Sequence, residues 1–253
     1  MQIKYKNWIL PGSAIIAAFI LLLIGPIAQN QEYHDFTDKR MFFGIPNFMD
    51  VITNIPFLFI GIAGLIVVFN SGSKKHTLKK ICFTLFIGFV LLCFGSGYYH
   101  YTPSDFPLVF DRIPIAIIFM SFFSIFIYDY IGNYTGLRSF YFLNFIGIAS
   151  VIYWYFSGIT GNGDLRLYAL VQFYPVIAIP LILIFYKHPF NYTREVILIF
   201  IAFGIAKITE GLDEQIYSIT GFISGHSIKH IFMTIAGVFL VFMIKKRLKM
   251  KLN

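Results

Sequence analysis

Long, uninterrupted apolar runs set the strongest limit on what this chain can fold into. Eight of them stand out, at roughly residues 8–27, 47–69, 80–101, 108–131, 140–157, 166–186, 193–212 and 224–244. A run of about 20 apolar residues is what a helix needs to cross the hydrocarbon core of a bilayer. A helix packed in a soluble domain would instead show a polar residue at almost every turn. Composition agrees. Asp, Glu, Lys and Arg make up 13% of the 253 residues, about half the share usual in soluble domains, and mean hydropathy is +0.75. The expectation is an all-α integral membrane protein, one helical domain with eight spans.

The first run could be a signal peptide, because Lys4 and Lys6 precede its apolar core. Pro26 sits three residues before the cut that would follow Ala28, which makes a poor cleavage site, and the run is long for a signal. Residues 1–30 are therefore read as a retained helix.

The formal net charge is +8, but its distribution excludes a nucleic-acid face. The basic residues flank the apolar runs, in "SKKHTLKK" and in the tail "KKRLKMK". Assigned to alternate sides, fourteen of the twenty Lys and Arg fall on the side of the two termini. Lys39, Arg40, Arg112 and Arg166 fall on the other, and Lys207 and Lys229 lie within spans. The excess places both termini in the cytoplasm, which an even number of spans satisfies. Most acidic residues, among them Glu32, Asp35, Asp38, Asp105, Asp111, Asp164, Asp213 and Glu214, gather at the opposite face. The "NYT" sequons at Asn133 and Asn191 fall on the cytoplasmic side, so no glycan is expected. Cys82 and Cys93 lie on one predicted helix, roughly 16 Å apart by helical rise, too far for a disulfide.

Few polar residues interrupt the spans, and five meet at one depth. Ser96 and His100, four apart, share a face at the outer end of span three. Asp111 opens span four from the same side. His226 and His230, again four apart, open span eight there. Each has a structural alternative. Asp111 could complement a helix dipole or pair with Arg112, Ser96 could bond back to its own helix, and a histidine could bond a backbone carbonyl. Three histidines at one depth point further, because ionisable groups in a membrane are expensive. Three neutral imidazoles make a zinc site with an open fourth position. Zinc lowers the pKa of a bound water toward about 7, a carboxylate can shuttle the proton, and a hydroxyl can hold the water or an oxyanion. The set suits hydrolysis of an ester or amide. "HSIKH" is not a zincin motif, since no Glu follows its first His. Lys229 lies at the mouth of its span, a poor place for a retinal Schiff base, and Lys207 with Glu210 at i+3 reads as an ion pair.

These segments resemble the alkaline ceramidases, within the seven-helix membrane hydrolase superfamily that includes the adiponectin-type receptors. The resemblance lies in "SGYYH", "FDRIP" and "HSIKH", in the spacing of His100 and Asp111, and in "GIPNFMDVITNIPFLFIGI", which is similar to the first core helix with Asp50, Thr53 and Asn54 at its polar positions. It covers roughly residues 35–244. It implies a seven-helix hydrolase domain over residues 31–253, with residues 1–30 an additional helix. It also implies zinc on His100, His226 and His230, completed by Ser96 and Asp111, and cleavage of the N-acyl bond of a ceramide-like lipid entering sideways from the bilayer. Three departures stand out. Asn47 stands where a calcium-binding glutamate of the eukaryotic members aligns, and Asp35 and Asp38 align only loosely, which argues against calcium. Arg112 follows Asp111 where those enzymes often carry an acid. "SGHSIKH" lacks the aromatic filling around the last two histidines.

Two function classes follow. One is a zinc-dependent lipid amidase, with its site near the periplasmic face of a bacterial inner membrane. The other is a receptor or sensor keeping zinc as a structural clamp. Short loops and a short tail favour the amidase. A metal or proton transporter would need polar residues on the cytoplasmic half of the spans, where few occur. Nothing in the sequence specifies an oligomeric state.

Overall fold

The computed structural model describes residues 3–161, 163–186 and 190–250, the first five of them as backbone only. Ten α-helices account for most of these: α1 (Ile3–Ile24), α2 (Phe48–Ile52), α3 (Ile55–Phe69), α4 (His76–Tyr101), α5 (Asp105–Tyr130), α6 (Asn133–Ile159), α7 (Arg166–Phe185), α8 (Thr193–Gly211), α9 (Asp213–Thr220) and α10 (Gly225–Lys249). No strand forms among the described residues; the nearest approach is an isolated bridge between Phe42 and Ile45.

Each of the eight apolar runs becomes helical. Among the described residues, six segments are long and apolar enough to cross a membrane: Phe48–Phe69, His76–Tyr101, Asp105–Tyr130, Asn133–Ile159, Arg166–Phe185 and Gly225–Lys249. The chain is thus a multi-pass membrane protein. Of the other two predicted spans, α1 offers the shorter apolar stretch Trp8–Ile24, and α8 carries Arg194, Glu195, Lys207 and Glu210 within its 19 residues. Many large apolar side chains face outward, Phe59, Phe94, Phe142, Phe145 and Ile184 among them, each more than 60% exposed. In water such a surface would drive aggregation; against lipid tails it costs nothing.

The described residues form two compact units. Of the described residues, one comprises 3–30 together with 75–85 and 115–186; the other comprises 31–74, 86–114 and 190–250. In the first, α7 packs on α1 and on α6. The Tyr174 hydroxyl donates to the Leu10 carbonyl at 2.8 Å and lies 3.0 Å from Ser13 Oγ. Before α7, Asp164 accepts from the Arg166 guanidinium at 2.9 Å and from the backbone N–H groups of Arg166 and Ile27. The Arg166 hydrogen bonds hold the Asp164 carboxyl at about 2, below the usual carboxylate range. Some buried serines satisfy their hydroxyls on their own helix, as Ser124 does on the Met120 carbonyl at 2.7 Å, while Ser121 on α5 donates to the Asn144 side chain on α6 at 3.3 Å.

In the second unit α10 is central, packing along α8 and against α3. Ion pairs tie α8 and α10 at both ends and fix them antiparallel: Glu195 with Lys246 at 2.6 Å, and Glu210 with Lys229 at 3.0 Å. Glycine lets backbones meet. A Cβ on Gly225 would lie 2.1 Å from the Thr209 carbonyl oxygen, and one on Gly95 would lie 2.0 Å from that of Phe110. The first core span is broken. After α2, Thr53 and Asn54 form a turn before α3, because Pro56 offers no N–H and its ring crowds the carbonyl four residues back. Neither Cys82 nor Cys93 forms a disulfide.

Candidate metal centre

The second unit brings together three histidines from two helices. His100 lies in the last turn of α4, and His226 and His230 lie in the first two turns of α10. All three are at least 94% buried. One ring nitrogen from each lies within 4.8 Å of the other two, and the ring centroids are 4.8, 5.0 and 5.1 Å apart. Nitrogens on a tetrahedral zinc would stand about 3.3 Å apart, given Zn–N of about 2.0–2.1 Å.

Local structure sets each ring. Ser224 caps α10, its hydroxyl accepting from the Ser227 N–H at 3.0 Å. Asp213 accepts from the His226 N–H at 2.7 Å, placing an anion at the positive end of the helix. The Asn47 side-chain amide donates to the His100 carbonyl at 2.9 Å and so holds the end of α4. Phe36 packs on two of the rings, 4.6 Å from His100 and 5.1 Å from His226 between centroids.

Hydrogen-bond partners assign the tautomers of two of the three rings. Thr53 gives its one proton to the Met49 carbonyl at 2.7 Å. It therefore accepts from Nδ1 of His230, 2.9 Å away, leaving the lone pair on Nε2 of His230. This is the outer contact that orients a metal-ligating histidine. His226 Nε2 lies 2.8 Å from the Lys229 ammonium, which can only donate, so Nε2 carries the lone pair there too. Nδ1 of His100 is buried with no hydrogen-bond partner among the described residues. Two lone pairs on Nε2, a buried nitrogen without a partner and an outer hydroxyl contact fit a metal bound by nitrogen.

Ser96 lies one turn before His100 and hydrogen-bonds the Asp111 carboxylate, so this predicted pair meets. Asp111 was expected in the first turn of its helix. It lies instead in the second turn, because α5 starts earlier, at Asp105, with Pro107 in the first turn, where a missing N–H costs nothing. A dipole-complementing role weakens accordingly, as that effect fades beyond the first turn.

Most of the other contacts around the site were not foreseen. Asp50, fully buried, accepts from Ser227 at 2.6 Å and Ser224 at 3.3 Å. Lys207 pairs with Glu210 at 2.8 Å as the spacing suggested, but Glu210 also binds Lys229. Arg112 stacks its guanidinium 5.7 Å from the Tyr33 ring centre. Asp38 is taken by Arg40 at 2.7 Å, and Asp35 pairs with Lys39. No family model, curated protein or solved structure matches the chain.

Proposed function

We propose that this chain is a zinc-dependent membrane amidase that cleaves the N-acyl bond of a ceramide-like lipid, releasing a fatty acid and a sphingoid-type base. The observation that carries the reading is the cluster of three buried histidines, with Ser96 one helical turn before His100 on the same helix and hydrogen-bonded to Asp111. His100, His226 and His230 would hold the ion. Zinc bound there supplies Lewis acidity, bringing the ionisation of water within reach of neutral pH.

The chain's own groups supply the rest. The Asp111 carboxylate accepts a proton from the attacking water as the new C–O bond forms. It returns that proton to the amide nitrogen as the C–N bond breaks, so that the amine leaves neutral. Ser96 holds the carboxylate in place in the ground state. Its hydroxyl then stabilises the water or the negative charge that develops on the acyl oxygen. The aromatic wall at Phe36 keeps bulk water away from the histidines. Both termini face the cytoplasm in this reading, and the site opens toward the periplasmic face of a bacterial inner membrane.

The test is fatty-acid release from a panel of N-acyl lipids by detergent-purified protein, beside Asp111→Asn. Release that Asp111→Asn abolishes while zinc is retained supports the amidase. Zinc bound with no release from any lipid would favour a receptor that keeps the metal as a structural clamp.

A further inference from the structure

The geometry points to Lys229 as a built-in competitor for the metal, with Glu210 as the group that relieves the competition. The inference rests on the three histidines being a metal site and concerns how that site is filled. Lys229 follows His226 by three residues on α10, so its side chain lies over the same helical face. Its Nζ is 2.8 Å from Nε2 of His226 and 3.0 Å from Oε1 of Glu210. The other oxygen of Glu210 is held by Lys207 at 2.8 Å. The Lys229 side chain is 15% exposed and that of Glu210 20%, so water is a poor substitute for either partner.

An ammonium has donors and no lone pair, and a neutral imidazole has one in-plane lone pair. Nε2 of His226 can accept from Lys229 or bind a metal ion, and it cannot do both. Neither of the other rings is contested in this way. Nδ1 of His230 is turned to Thr53, and Nδ1 of His100 has no hydrogen-bond partner among the described residues. Filling the site therefore requires Lys229 to leave His226. Glu210 decides what that costs. Its carboxylate already binds the ammonium and keeps it compensated once displaced. Without it, a buried cation would be left unpaired beside a divalent one. Lys229 should weaken zinc binding and Glu210 should strengthen it. A purely structural ion pair would move both in the same direction.

The experiment is zinc affinity by chelator competition, on detergent-purified, metal-stripped protein. The forms compared are the parent, Lys229→Met, Glu210→Gln, the double variant and His226→Ala, each checked for helicity and monodispersity. Lys229→Met should bind zinc about tenfold more tightly, the scale of a lost hydrogen bond to a charged group. Glu210→Gln should bind it about tenfold more weakly, and the double variant should behave more like Lys229→Met. In the parent itself, the ¹⁵N signal of Lys229 Nζ should move as zinc is added, a readout that needs no variant. Unchanged or weaker binding by Lys229→Met, or a Lys229 signal indifferent to zinc, overturns the competition while leaving the metal site standing. Failure of the parent to bind zinc any better than His226→Ala overturns both.

Discussion

If the chain is the proposed amidase, turnover and metal binding should separate at Asp111 and Thr53. Asp111→Asn keeps the size of the side chain and its contact with Ser96 but removes the proton acceptor. Turnover should fall by about 10²–10⁴ with zinc content unchanged, measured by fatty-acid release and metal analysis on the same preparation. Thr53→Val does the reverse. It removes the acceptor for Nδ1 of His230, and the loss of such an outer contact should weaken zinc affinity about 10–100-fold, read by chelator competition. The two residues also differ in how plainly the sequence announced them. Asp111 is an acid in an apolar run, and an intramembrane charge draws attention at once. Thr53 is a small hydroxyl that packs anywhere. Its bond to a ring 177 positions away leaves no local trace. Lys229 was visible as a charge, yet its partner Glu210 lies on another helix, so its role appears only once α8 and α10 are packed.

Among the elements, the approach of α4 to α5 joins Ser96 to Asp111, and Gly95 permits it. A methyl at Gly95 would meet a backbone oxygen at 2.0 Å, which cannot rotate away, whereas one at Gly97 meets nothing within 4 Å. Gly95→Ala should destabilise the fold by about 1–3 kcal/mol and reduce turnover. Gly97→Ala should do neither. Thermal unfolding in detergent, followed by the fluorescence of Trp8 and Trp154, separates them. Helix positions were legible because an apolar run of bilayer length has few other ways to satisfy its backbone. Helix ends were less so. The polar turns at His76 and Asn133 continue into helices that hydropathy alone cuts short. The small, polar helix α9 (Asp213–Thr220) carries no apolar run to betray it. The break at Thr53 and Asn54 had its signal in Pro56, but the apolar residues on both sides concealed it.

At the scale of the molecule, charge gives two further expectations. Tags at either terminus should be accessible only from the cytoplasmic side, and a tag in the 31–46 segment only from the opposite side, by protease protection in spheroplasts. The corner at Asp164 should show in the acid limb of stability. Its folded value of about 2 lies below an ordinary carboxylate near 3.9. Its contribution is therefore complete above about pH 4 and is lost as pH falls through about 2. The thermal midpoint of Asp164→Asn should accordingly be lower than the parent's at pH 5, and the two should converge toward pH 2. The meeting of the three histidines, and that of Ser96 with Asp111, was legible because each falls near a helix end whose expected side of the membrane follows from the count of Lys and Arg. The electrostatic surroundings of the site, with Asp50 on the α10 cap and Lys229 on His226, required the packed helices.

The most direct test is zinc per chain in the purified protein, beside His100→Ala, His226→Ala and His230→Ala. One zinc is expected in the parent and a large loss in each variant, because each removes one of three proposed nitrogen ligands. A parent without zinc, or zinc that survives removal of the histidines, would contradict a three-histidine zinc site.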